Sequence, residues 1–269
     1  MTEQGAVAVA LENAGPDEFY EAAYPQMPDW PELYVTGLFD ASVDTGEIVD
    51  RIQSLFTECD RCSVSRLVDR DWERSWLSGF EPIQAGRNLW VCPSWISPPH
   101  AEAVNLIIDP GLAFGTGTHP TTAMCLEWLD RNPPAGNRVV DVGCGSGILA
   151  IAALKLGASH AWGIDVDPRA LKASRENAER NGVAGEYSAG ALDEVPRSFS
   201  AHLLMANILA GVLVGLKEHL VSLVCSDGVM LLTGILHSQA IEVQNTFASN
   251  FQFEEMQREE WTMLIAKKR

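Results

Sequence analysis

The stretch Arg138-Val-Val-Asp-Val-Gly-Cys-Gly-Ser-Gly-Ile-Leu-Ala-Ile-Ala-Ala153 passes from a β-branched run, through three alternating glycines, into a continuous apolar segment. A short run bounded by turn residues is a buried strand, and an apolar segment directly after it is the helix that covers the sheet. Gly143, Gly145 and Gly147 allow the backbone to approach a ligand closely. The next strand-like run, Ala161-Trp-Gly-Ile-Asp165, places a carboxylate 22 residues after the first glycine. In a βαβ unit, an acid at that strand end can hydrogen-bond a ribose diol. The unit therefore offers an adenosine-sized site, and the remaining sequence is arranged around it.

Composition narrows the classes of partner. The chain of 269 residues is 46% hydrophobic, enough for one large domain or a standard domain with a small one. Asp and Glu outnumber Lys and Arg 36 to 19, a formal charge of −17. That charge argues against nucleic acid, whose binding needs Lys and Arg at phosphates, and favours a basic protein. The start has no positive amino-terminal region, and no uncharged apolar run reaches about 18 residues. A soluble, cytoplasmic protein is expected. Six cysteines in a chain of this length are read as reduced thiols. Cys59-x-x-Cys62 lacks the second Cys or His pair that tetrahedral zinc requires, so no metal site is expected.

Taken in order, residues 5–12 and Glu32–Phe39 read as strands, Thr45–Phe56 as a helix and Ser63–Val68 as a third strand. Residues 1–70 thus form a small α+β domain of ferredoxin-like character. Its strand order suggests that a first strand and helix are missing. Four of eight Trp fall between 72 and 95. They mark a connector over 71–100, in which the rings serve packing or docking. Asp71 is placed to cap a short helix, with Trp72 and Trp76 on one face. A second glycine-rich loop, Asp109–Thr122, leads into a helix over Thr121–Leu129. Its hydroxyls lie beside a helix amino terminus, where they edge a pocket, and Phe114 can stack on a purine or close over it. His119 has two readings, a cap for the following helix or a catalytic base. A helix is expected over 168–181, with Asn177 and Asn181 on its rim, and further helices over 209–224 and 238–249. The strand Ser200–Ala206 runs into Asn207, which as a strand-end residue faces the crevice shared by Gly143 and Asp165, or caps the next helix. Seven strands follow from residue 138, closed by a hairpin over 251–266.

Position 148, where the dinucleotide pattern wants its third glycine, is Ile, so a dehydrogenase is disfavoured. The pattern G-x-G-x-G with Asp141 before it suits S-adenosylmethionine, which has no pyrophosphate. Asp141-Val-Gly-Cys-Gly-Ser-Gly147, Gly163-Ile-Asp165 and the terminal hairpin resemble a class I methyltransferase. Leu112–Thr122, Asn207-Ile-Leu-Ala210 and Asp71-Trp-Glu-Arg-x-Trp76 narrow the resemblance to the ribosomal protein L11 methyltransferase (PrmA) family, over nearly the whole chain. The resemblance implies an α/β, Rossmann-like, seven-stranded catalytic domain over 101–269, preceded by the connector and a substrate-recognition domain. It also implies cofactor contacts at Thr122, Gly143, Asp165 and Asn207, to which the spacing adds Phe114 and Gly145. The chain begins near the second strand of the family's usual first domain, which leaves recognition of the usual substrate open.

The implied reaction is attack of a neutral amine on a sulfonium methyl. Asn207 is the residue expected to orient the amine, and no dedicated base is evident. Asn-Ile-Leu-Ala lacks the aromatic that stacks flat substrates, so an aliphatic amine is favoured. Two alternatives stay open, a methyltransferase for another protein or a small amine, and a cofactor-binding interaction protein without catalysis.

Overall fold

The computed structural model describes residues 1–14, 33–56, 61–67, 80–109 and 117–269. The chain divides into two compact units, Met1–Trp72 and Glu73–Arg269. In the first, β1 (Ala8–Asn13) and β2 (Leu33–Leu38) pair antiparallel, Ala8 opposite Leu38. Helix α1 (Thr45–Leu55) is capped by Asp44, whose carboxylate accepts from the Gly46 and Glu47 amides. The third strand expected over 63–68 is absent among the described residues: 61–67 carry no regular structure, and β1 and β2 pair only with each other. Alternation gives a segment two faces, but only a neighbour's hydrogen bonds make it a strand. The loop over 24–32, Asp71, Trp72, Trp76, Cys59 and Phe114 lie outside the described residues.

The second unit opens with a three-stranded sheet of β3 (Ile83–Gln84), β4 (Leu89–Cys92) and β5 (Val104–Ile107). Its β4 and β5 are parallel, and Leu89, Cys92 and Leu106 are fully buried. Helix α2 (Pro120–Arg131) follows, and then the main sheet, made of β6 (Arg138–Val142), β7 (His160–Ile164), β8 (Tyr187–Gly190), β9 (Ala201–Asn207), β10 (Val224–Leu236), β11 (Phe251–Arg258) and β12 (Trp261–Lys268). Its strand order is β11-β12-β10-β9-β6-β7-β8. The five strands from β10 to β8 run parallel, and β12 lies antiparallel to both neighbours. This is the seven-stranded α/β architecture expected from the sequence.

Helix α3 (Ile148–Lys155) has every residue from Ile148 to Leu154 buried, which is why it shows no polar face. Full burial of each large aliphatic side chain there is worth about 1.5–3 kcal/mol, so the run favours a helix sandwiched in the core over an amphipathic one. Helix α4 (Pro168–Arg180) starts at Asp167, whose side chain accepts from the Arg169 amide, and Pro168 occupies the first turn. The helix expected over 209–224 is two, α5 (Ala210–Gly215) and α6 (Lys217–Leu223), separated at Leu216 with φ −92° and ψ 5°. Gly215 supplies the weak point, since glycine is a poor interior helix residue. Helix α7 (Ala240–Phe247) precedes the closing hairpin. Among the described residues, no helix is long and apolar enough to cross a membrane.

Candidate active site

The order of the sheet fixes where a ligand can enter. After β6 the chain builds β7 and β8 on one side, then returns to lay β9 against the other side of β6. The switch point therefore lies between β6 and β9, and open α/β sheets bind ligands outside the carboxyl ends of strands at such a point. Residues 143–147 leave the end of β6, and Asn207 is the last residue of β9. Two sequence features 60 residues apart thus meet at one crevice.

The turn is built from the backbone outward. Gly143, Gly145 and Gly147 all have positive φ, and the Gly143 and Cys144 amides donate to the Ile164 carbonyl at 2.8 and 3.0 Å. Gly143 has a second reason to lack a side chain, because a Cβ there would overlap Cγ2 of Ile208. Asp165 closes the turn from the neighbouring strand: its Oδ2 accepts from the Gly145 amide at 2.9 Å and its Oδ1 from the Asp167 amide at 3.0 Å. A carboxylate offers about four lone-pair positions, so acceptor capacity for a diol remains after both bonds. Val166, between the two acids, is 99% exposed.

The other wall comes from α2 and β9. The Asn207 side-chain amide donates to Oγ1 of Thr122 at 3.1 Å, although the residues are 85 apart in sequence. Thr122 is 1% exposed, while Asn207 is half-buried at the strand end. His119 does what its capping reading expected: its Nδ1 accepts from the Thr121 amide at 3.3 Å and lies 2.7 Å from Oγ1 of Thr121. Its ring meets Trp261 edge-on at 5.0 Å, and burial holds its pKa below the ordinary range despite Glu260 and Glu259.

Behind the turn, Asp141 is buried with its Oδ2 accepting from the Ala150 amide at 3.2 Å. Burial pushes its carboxyl up to about 7; the Ala150 bond opposes this, and the Asp165 charge adds to it. Burial likewise raises the Cys144 thiol to about 12, so it is no nucleophile at neutral pH. Asn177 and Asn181, expected on the rim of α4, are buried, at 6% and 8% exposure. Asn177 donates to the Ser146 carbonyl at 2.9 Å, and Asn181 exchanges two 2.8 Å bonds with the Ile107 backbone. They brace the turn and β5 from within, since a polar side chain on a covered helix face must pair with backbone there. Among the described residues, no group of His, Cys, Asp and Glu side chains has a metal-holding arrangement.

A family model described as ribosomal protein L11 methyltransferase (PrmA) matches residues 1–269. The chain belongs to the ribosomal protein L11 methyltransferase family. Curated relatives of that name include one from Tolumonas auensis, 47% identical over 261 residues, which cover 97% of the chain and 89% of the relative. Another, from Sodalis glossinidius, is 44% identical over 272 residues, covering 100% of the chain and 93% of the relative. The crystal structure of a ribosomal protein L11 methylase from Lactobacillus delbrueckii subsp. bulgaricus superposes with TM-score 0.65 at 32% identity, covering 71% of the chain and all of that structure. Membership makes the chain an enzyme of methyl transfer, as the motifs at 112–122, 141–147 and 207–210 led one to expect.

Proposed function

We propose that the chain transfers methyl groups from S-adenosylmethionine to amino groups of ribosomal protein L11. The donor is held by Gly143, Gly145, Asp165, Thr122 and Phe114, and Asn207 orients the acceptor. The observation that carries this reading is the meeting of Asn207, Thr122 and the glycine turn at the switch point of the sheet. The donor fits the residues present: the turn is pared of side chains where a Cβ would overlap Ile208, and Asp165 keeps acceptor capacity for a ribose diol. Val166 gives the purine an apolar face. The molecule, when bound, supplies a sulfonium methyl whose carbon an amine lone pair attacks in line, an N–C bond forming as the C–S bonding pair leaves with sulfur.

What the chain's own residues do follows from their chemistry. A lysine amine has an ordinary pKa of about 10.4, so it must lose its proton before attack. Among the described residues no side chain is placed as a dedicated base, so the amine sheds its proton to solvent. With its nitrogen turned to Thr122, the Asn207 amide presents its oxygen to accept an N–H of the amine, which aims the lone pair. Residues 1–70 serve as the substrate-recognition domain and 101–269 as the catalytic domain, with 71–100 connecting them in the chain and contributing β3 and β4 to the sheet that β5 completes. The net charge of −17 draws a basic ribosomal protein toward the enzyme, an attraction that salt weakens. The setting for such a reaction is the cytoplasm.

The test is transfer of labelled methyl from S-adenosylmethionine to purified ribosomal protein L11, with Asn207→Ala alongside. The wild-type chain labels the substrate. Asn207→Ala lowers turnover at saturating donor while donor affinity changes little. Unchanged turnover in the variant would refute the role of Asn207, and label on another band of a ribosomal extract instead would move the proposal to that protein.

A further inference from the structure

Strand β10 lies between β9 and β12, and its two sides disagree in register. Toward β9, Thr233 stands opposite Asn207. Toward β12, Leu232 faces Leu264 and Ile235 faces Thr262, so Thr233 and Gly234 together oppose the single residue Met263. This is a β-bulge, and Gly234 within it has φ +82°, a conformation that disfavours any side chain. A Cβ on Gly234 would lie 2.5 Å from the carbonyl oxygen of Ile208, 2.8 Å from its carbonyl carbon and 3.1 Å from its nitrogen. The Ile208 amide donates to the Thr233 carbonyl at 3.1 Å. On its other flank, Cγ2 of Ile208 fills the place a Gly143 Cβ would take. The residue after Asn207 is therefore gripped by the bulge through its backbone and by the glycine turn through its side chain.

We propose that the bulge at Thr233 and Gly234, acting through Ile208, is a positioning element that sets where the Asn207 amide stands relative to the glycine turn. The inference rests on the reading of Asn207 as the residue that orients the acceptor. Bulges beside active sites commonly re-aim a side chain, and here the bulge lets the chain leave β9 close against β10. Ordinary contact begins at 3.4 Å, so a methyl group on Gly234 requires the Ile208 carbonyl to retreat by about 1 Å. A displacement of that size at a reacting geometry can cost about 100-fold in rate. The donor side is not expected to share the loss, because Asp165 and the Ile164 carbonyl hold the turn independently of β10.

The experiment compares Gly234→Ala with Gly136→Ala, a control whose glycine also has positive φ, +74°, but open space around it. Single-turnover transfer to ribosomal protein L11, the dissociation constant of S-adenosylmethionine by calorimetry and the Asn207 side-chain amide signals by NMR are measured on the full chain. Gly234→Ala is expected to slow transfer by about tenfold to 100-fold, change the dissociation constant by less than about threefold and shift the Asn207 signals. The control changes none of the three. Asn207→Ala/Gly234→Ala is expected to be no slower than Asn207→Ala alone, since a residue acting through another adds nothing once that other is gone. Should Gly234→Ala fail to fold, Ile208→Ala, which releases the grip on the Gly143 side, carries the same three measurements. Multiplying effects in the double variant, or loss of donor affinity equal to the loss of rate, overturns the inference. If Asn207→Ala itself transfers normally, the failure lies in the role given to Asn207.

Discussion

Replacing Asp141 by Asn removes a charge from the strand beneath the turn while keeping an oxygen for the Ala150 amide. The carboxyl is 1% exposed, and burial raises it from an ordinary 3.8 to about 7. The sign follows from which state holds the proton. Below the ordinary carboxylate range both folded and unfolded chains are protonated, and Asp141 contributes no pH dependence. As pH rises toward about 7 the unfolded chain ionises first, so the folded state loses stability progressively; above about 7 the penalty is constant. About three pH units at about 1.4 kcal/mol each set a ceiling of about 4 kcal/mol, of which about 3 kcal/mol falls between roughly pH 5 and pH 8. Asn carries none of this. Urea unfolding of both proteins across that range is therefore expected to show Asp141→Asn gaining stability relative to wild type as pH rises, whatever constant offset the amide adds. For a domain of this size each kcal/mol also moves Tm by about 2–4 °C, so even a quarter of the ceiling is measurable. Parallel stability curves for the two proteins would refute the reasoning, for they would mean that the Asp141 environment is as polar as water.

Asp165→Ala is expected to weaken S-adenosylmethionine binding by about 10- to 100-fold, because hydrogen bonds to a charged group are worth about 1.5–3 kcal/mol; calorimetry returning an unaltered dissociation constant would remove Asp165 from the donor site. Thr122→Val keeps the shape of a fully buried residue but deletes the oxygen that accepts from Asn207. A net loss of about 0.5–1.5 kcal/mol translates into a two- to roughly tenfold fall in kcat. Stopped-time assays at saturating donor measure it, and full activity would show that Thr122 does not hold the Asn207 amide.

Much of the catalytic unit is legible in particular residues of the sequence. Val139, Val140 and Val142 spell a buried strand, Ile148 to Leu154 a covered helix, and Asp165 the end of the next strand, because hydrophobic periodicity and glycine spacing act over a few residues. Gly143, Asp165 and Asn207 are legible as strand-end positions, and the switch-point rule alone sends such positions to one crevice. Elsewhere local pattern does not decide the structure. Ser63–Leu67 alternates as a strand does yet pairs with no strand among the described residues. Asn177 and Asn181 read as rim residues because they are polar, while burial turns them into braces for Ser146 and Ile107. Residues 209–224 read as one helix because periodicity is blind to a break at Leu216.

The sequence by itself determined the βαβ unit, the paired acid and glycine turn, and the motifs that place the chain in its family, since each is a local pattern written in neighbouring residues. Only the tertiary structure decided that Asn207 bonds Thr122 across 85 residues, that Asp141 is sealed from water, and that a bulge on β10 grips Ile208 against the glycine turn. These are properties of contacts between segments distant in the chain, and distance, burial and register exist only after the sheet has closed around them.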